Sequence, residues 1–221
     1  MMDFARARRT MVDTQIRVND VTDSRIIDAL MDVPRENFVP ESRRVLAYLD
    51  DDLPVSEGGE GRSARHLLEP MVLAKMLHAA AIKPDDAVLD IGIATGYSAA
   101  IIAHLAARVV ALEEDATLVA TARSLLAPQT NVTVVEGPLA DGASQRGPFD
   151  VIVLEGAVDV VPAGLLKQLR QGGRLVAVVG RGRAAKCLVH TLRDDEVSVR
   201  PVFDAAIPAL PGFEAPRNFV F

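Results

Sequence analysis

The sequence has a single cysteine, Cys187, so an intrachain disulfide is ruled out and a reducing, cytoplasmic setting is expected. Cys187 itself sits among alternating apolar residues and reads as a core thiol. Basic residues are in deficit. Against 30 Asp and Glu there are 24 Lys and Arg, a net charge of −6, which leaves no basic face for nucleic acid. A membrane-spanning run is missing too, because the longest apolar stretch, 99–112, is interrupted by His104 and Arg108 and is too short for a bilayer. Arg6, Arg8 and Arg9 are followed by no apolar segment, so they read as a solvated helix face and not as part of a signal peptide. There is no internal repeat, no low-complexity segment and no metal-ligand spacing. What remains is 221 residues, 49% hydrophobic and 24% charged. That is enough to bury roughly 70% of the unfolded surface in a single domain.

The first 82 residues read as a helical cover with a substrate-side loop, and 83–221 as an α/β core. Met11, Val12 and Ile16 recur at helical spacing within 4–17. Asp23 caps a second helix, carrying Ile26, Ile27, Leu30 and Met31, that Pro34 stops. The acids and glycines of 50–63 predict an exposed loop, and Pro70 opens a helix with an apolar face through Leu73, Met76 and Leu77. Beyond Pro84, apolar runs at 87–91, 109–112, 132–135, 151–154 and 175–179 alternate with helical patterns at 98–107, 116–126 and 163–170. Such alternation predicts a Rossmann-like α/β fold, a mostly parallel sheet with helices on both faces. Further strands are expected at 186–192, 197–203 and 218–221, the last ones antiparallel.

The most informative stretch is 87–100, a buried strand, a small-residue turn and a helix start. This arrangement brings a ligand close to backbone N–H groups. Gly92, Ala94 and Gly96 form a small-x-small-x-small turn that differs from the G-x-G-x-x-G of dinucleotide folds. Asp90, at the end of the strand, would repel a pyrophosphate by roughly several kcal/mol and suits a cationic group. Glu113, followed by Glu114, ends the second strand where an acid can accept both hydroxyls of a ribose. A nucleoside with a cationic amino-acid tail, S-adenosylmethionine, meets both requirements, and a nicotinamide cofactor does not.

Here the chain resembles the protein-L-isoaspartate O-methyltransferase family. The likeness is carried by Met11-Val12 with Gln15 and Arg17, by Val33-Pro34-Arg35-Glu36-Asn37-Phe38-Val39-Pro40, and by Ala47-Tyr48 and Leu53-Pro54. It continues in Gly96-Tyr97-Ser98-Ala99, in Pro148-Phe149-Asp150 and in Gly172-Gly173-Arg174-Leu175. The resemblance implies methyl transfer from S-adenosylmethionine to the α-carboxylate of an isoaspartyl residue in damaged protein. It also implies cofactor contacts from Asp90, Gly92, Ala94, Gly96, Tyr97, Glu113, Glu114, Gly137 and Leu139. The sequence departs from the family at two places. Leu67-Leu68-Glu69-Pro70 stands where the family has Ile-Ser-Gln-Pro, so Leu68 replaces a serine thought to contact the acceptor carboxylate, and an ionised Glu69 would repel it. Gly137-Pro138-Leu139 stands where the family has Gly-Asp-Gly, so Pro138 takes the place of an acid. Replacement acceptor contacts are sought in Arg62, Ser63, Arg65 and His66: a hydroxyl from Ser63, a bidentate grip from Arg62 or Arg65, a base in His66. Another carboxylate or a small molecule as acceptor, and a cofactor-binding module without isoaspartyl activity, are the alternatives.

Overall fold

The computed structural model describes residues 2–59 and 63–215. Helix α1 (Phe4–Met11) is capped by Asp3, whose carboxylate accepts from the Arg6 N–H at 3.0 Å. It does not run on to Arg17 but widens into a π turn over Val12–Ile16. The i→i+5 spacing returns Ile16 to the side of Met11, and Met11, Val12 and Ile16 are all buried. Helix α2 (Ser24–Asp32) is capped by Asp23 and ends at Val33, the residue that Pro34 forces out of helical geometry.

A short strand, β1 (Leu53–Ser56), stands within 50–63, where the composition predicted only loop, and pairs antiparallel with β2 (Arg65–Leu67). Each strand is too brief to show a period, and β1 contains a proline. Their pairing is a tertiary event, with Leu53 and Leu67 pinned in the core. Helix α3 (Pro70–Ala80) starts on its proline as expected. Its last carbonyls, those of Ala80 and Ala81, accept from the Arg174 guanidinium, which also pairs with Asp86 at 2.7 Å.

The main sheet holds β3 (Ala87–Ile91), β4 (Arg108–Glu113), β5 (Val132–Glu136), β6 (Phe149–Val158), β7 (Leu169–Val179), β8 (Lys186–Arg193) and β9 (Glu196–Asp204). Their order is β5-β4-β3-β6-β7-β8-β9. The five strands from β5 to β7 run parallel, and β8 and β9 are added as antiparallel neighbours. Helices α4 (Tyr97–Ala103), α5 (Ala116–Leu125) and α6 (Ala163–Leu166) fill the crossovers. Two of them are shorter than their apolar patterns. The Asp86 carbonyl captures the N–H groups of Ala107 and Arg108 and draws the chain out of α4 into β4. The Gln168 amide, bonded to Ala143 N and the Asp141 carbonyl, ends α6, and Leu169 already pairs with Phe149. The expected strand at 218–221 lies outside the described residues. No described helix is long and apolar enough to cross a membrane.

The chain leaves β3 toward β4 and β5, then returns to β6 on the other side of β3. The carboxyl ends of β3 and β6 therefore flank the crevice where open α/β sheets bind ligands.

Candidate functional site

The turn after β3 is built from left-handed backbone. Gly92 and Gly96 have φ of 82° and 98°, and Ala94, which has a Cβ, is held at 51°. An alanine there costs roughly 1–2 kcal/mol of local strain. The Ala94 N–H is tied to the Glu113 carboxylate at 2.8 Å, which fixes the turn. Behind it, Thr95 Oγ1 donates to the Phe38 carbonyl at 2.6 Å, so the Val33–Pro40 block is latched directly onto the turn. Arg35 of that block is fully buried. It donates to the carbonyls of Ala47 and Leu68, both at 2.7 Å, and lies over the Tyr97 ring at 4.8 Å.

Asp90 ends β3 in complete burial. Its Oδ2 accepts from Ser98 Oγ at 2.7 Å. Glu155, on β6, lies beside it. Among the described residues, neither Asp90 Oδ1 nor Glu155 Oε1 meets a donor from any other group. Burial pushes Asp90 up to about 7, against the donated Ser98 bond. Burial, then the Asp90 charge, pushes Glu155 well above the carboxylate range, so Glu155 holds the proton the pair shares. Once Asp90 ionises, the pair is a buried negative charge with no cation hydrogen-bonded to it among the described residues. That is the chemistry a cationic ligand group satisfies. Neither Glu155 nor the Ser98 contact was singled out from sequence. The available signal was Glu155 itself, the acid at the carboxyl end of the neighbouring strand.

Glu113 is equally buried but fully partnered. Its Oε1 accepts from Arg65 Nη1 at 2.8 Å, Glu114 N at 2.9 Å and Asp115 N at 3.2 Å, and its Oε2 accepts from Ala94 N. Glu113, expected to accept a ribose, is thus already engaged by donors of the chain itself. Glu114 is exposed, and its carboxylate accepts from the Leu139 N–H. Leu139 is buried, Gly137 N donates to the Glu113 carbonyl, and Pro138 is exposed. Tyr97 turns its ring toward Arg35 and Phe38, with an edge-on centroid distance of 5.6 Å to Phe38.

The cleft roof comes from β2 and from a C-terminal segment that bonds to β6. Leu210 N donates to the Ala157 carbonyl and Ala157 N to the Pro208 carbonyl, both at 2.8 Å. A Cβ on Gly92 would lie 2.5 Å from Leu210 Cδ1 and 2.9 Å from Arg65 Nη2, so these side chains rest on the bare face of that glycine. A cavity of about 10 Å³ remains between Leu68, Gly92, Tyr97, Ser98 and Glu155. That is roughly the space of one water, against roughly 300–1,000 Å³ for a ligand pocket. A wider groove of about 380 Å³ opens on the far side of Thr95, between Phe38, Val55 and Leu118.

Of the acceptor-side candidates, His66 lines the small cavity, and burial followed by the charges of Arg65 and Arg43 lowers its pKa. Ser63 is exposed, and no hydrogen bond of its hydroxyl is seen among the described residues. Arg62 lies outside the described residues. Leu68 is buried in the apolar core at the serine position. Glu69 is pushed up to about 7 by burial, then by the charges of Asp52, Asp50 and Asp51, which blunts the repulsion expected of it at neutral pH.

A family model described as protein-L-isoaspartate(D-aspartate) O-methyltransferase matches residues 6–207. A protein of that name from Koribacter versatilis is 40% identical over 179 residues, 80% of this chain and 78% of its own length. One from Roseiflexus sp. is 38% identical over 197 residues, covering 88% of this chain and 87% of that protein. Among solved structures, a protein-L-isoaspartate O-methyltransferase superposes with a TM-score of 0.80 at 24% identity. It covers 93% of this chain, which spans 66% of that protein, just under two thirds. A putative member from Plasmodium falciparum, in complex with S-adenosyl-L-homocysteine, gives a TM-score of 0.77 at 16% identity, with coverage of 95% and 99%. At these identities the superpositions establish the fold.

Proposed function

Since the chain belongs to the protein-L-isoaspartate O-methyltransferase family, we propose that it transfers the methyl of S-adenosylmethionine to the α-carboxylate of isoaspartyl residues in damaged protein. The observation that carries the cofactor reading is the Asp90–Glu155 pair, two buried acids with unpartnered oxygens beside Gly92. The residues fit this cofactor. Asp90 and Glu155 would hold its cationic amino-acid portion, Gly92 would admit its close approach, and Glu113 would take its ribose. When bound, S-adenosylmethionine supplies an electrophilic methyl group on a positively charged sulfur.

The protein has little acid–base work to do. A carboxylate acceptor is already ionised at neutral pH, so neither His66 nor any other base is required. Its task is orientation and the exclusion of water, and the tight roof of Leu67, Leu68 and Leu210 suits the second. Leu68 favours a second reading, the same chemistry on another carboxylate or on a small molecule, because it withdraws the hydroxyl the family presents. Methylation of an isoaspartyl peptide and of its normal aspartyl twin, scored as base-labile methanol, tests the proposal. Methanol from the isoaspartyl peptide alone supports it. None from either, with cofactor binding demonstrated in parallel, moves the acceptor to another class.

A further inference from the structure

Glu113 offers about four acceptor positions, and four donors fill them: Arg65 Nη1 and the N–H groups of Ala94, Glu114 and Asp115. A ribose cannot bond to this carboxylate until one donor leaves. Three are backbone groups of the turn and strand end and cannot leave without unfolding them. The fourth is a side chain. Arg65 reaches in from β2, whose alternation buries Arg65 and Leu67 and leaves His66 half-buried. Its other nitrogen donates to the Gly92 carbonyl at 2.9 Å, over the face of Gly92 that a cofactor would approach.

A guanidinium expelled from Glu113 is a 5%-exposed cation that needs another anion. Among the described residues, the other carboxylates that feel its charge are Glu114, which lies at the surface and accepts from the Leu139 N–H, and Glu155, which sits with Asp90 and is occupied once the cofactor is in place. The second buried arginine, Arg35, is fixed on the carbonyls of Ala47 and Leu68. We propose that Arg65 is an exchangeable ligand: the cofactor's ribose displaces it from Glu113, and it then grips the acceptor's carboxylate in place of a serine hydroxyl. Cofactor binding thereby creates the acceptor site, and the two ligands bind with positive coupling. The second half rests on the carboxyl-methyltransferase reading above; the first does not.

The test is calorimetric titration of S-adenosylhomocysteine, and of an isoaspartyl peptide with and without saturating S-adenosylhomocysteine. It is run on the wild type, Arg65→Gln and Arg65→Lys, with thermal melts confirming that each is folded. S-adenosylhomocysteine is expected to raise the wild-type peptide affinity by about tenfold. Arg65→Gln should bind S-adenosylhomocysteine at least as tightly as the wild type and lose the coupling, and Arg65→Lys should restore part of it. Weaker S-adenosylhomocysteine binding by Arg65→Gln overturns the displacement, and coupling that survives in Arg65→Gln overturns the acceptor grip. A wild type that binds S-adenosylhomocysteine but never the peptide overturns the isoaspartyl reading and the grip with it. Tighter S-adenosylhomocysteine binding by Arg65→Gln would then still support the displacement.

Discussion

Asp90→Asn should make the protein more stable while weakening its hold on the cofactor. In the folded chain Asp90 keeps its proton up to about pH 7, whereas its ordinary value is 3.8. Between those two values the folded state binds more protons than the unfolded state. Stability attributable to this group therefore falls as pH rises, by about 1.4 kcal/mol per pH unit and about 4 kcal/mol across the window. Asp90 is fully buried, so no solvent screening reduces the figure. Asparagine removes the titration, can still accept from Ser98 Oγ and can donate to Glu155. Urea denaturation of both proteins at pH 4.5, 5.5, 6.5 and 7.5 should show the variant gaining on the wild type by about 1.4 kcal/mol per step until near neutrality. In calorimetry the same variant should bind S-adenosylhomocysteine more weakly by about 1–3 kcal/mol, through loss of a charge-assisted contact. Stability curves that stay parallel across this range would refute the argument, because Asp90 would then be ionised throughout.

Other perturbations separate neighbouring roles. Glu113→Ala should cost about 3–5 kcal/mol in chemical denaturation, because it strands the Arg65 charge and three N–H groups. The double variant with Arg65→Ala should recover part of that loss, and a fully additive double variant would contradict a direct ion pair. Since Glu69 is held up at about 7, turnover of an isoaspartyl peptide should decline above neutral pH as Glu69 ionises beside Leu68. Glu69→Gln should flatten that alkaline limb, and an unchanged limb would remove Glu69 from acceptor recognition.

The sheet and the turn after β3 were legible because their signals are local. Apolar runs mark β3 to β7, the small residues of 92–96 mark the turn, and Asp90 and Glu113 mark two strand ends. The structure brings Asp90, Gly92, Ala94 and Glu113 together as expected. The missed features depend on tertiary packing. Strand β2 has no period to read, so nothing local shows that Arg65 crosses to Glu113, 48 residues away. Glu155 lies in an apolar strand, and its role follows only from β6 pairing beside β3. The Tyr97 ring, at a position where the resemblance implies a cofactor contact, packs against Arg35 and Phe38 of the N-terminal segment, which no local pattern shows. Reading 50–63 as plain loop failed for the same reason, since β1 exists only through its pairing with β2.

Seating of a cationic nucleoside against the buried Asp90–Glu155 pair is tested most directly by titrating the wild type with S-adenosylhomocysteine at pH 6.5 in buffers of different ionisation enthalpy. Asp90 is more than half protonated at that pH in the free protein. A cation that favours its ionised form should release a fraction of a proton on binding. That release is the expected result, as is its disappearance in Asp90→Asn. Binding with no proton released, or with a proton taken up, would contradict that seating.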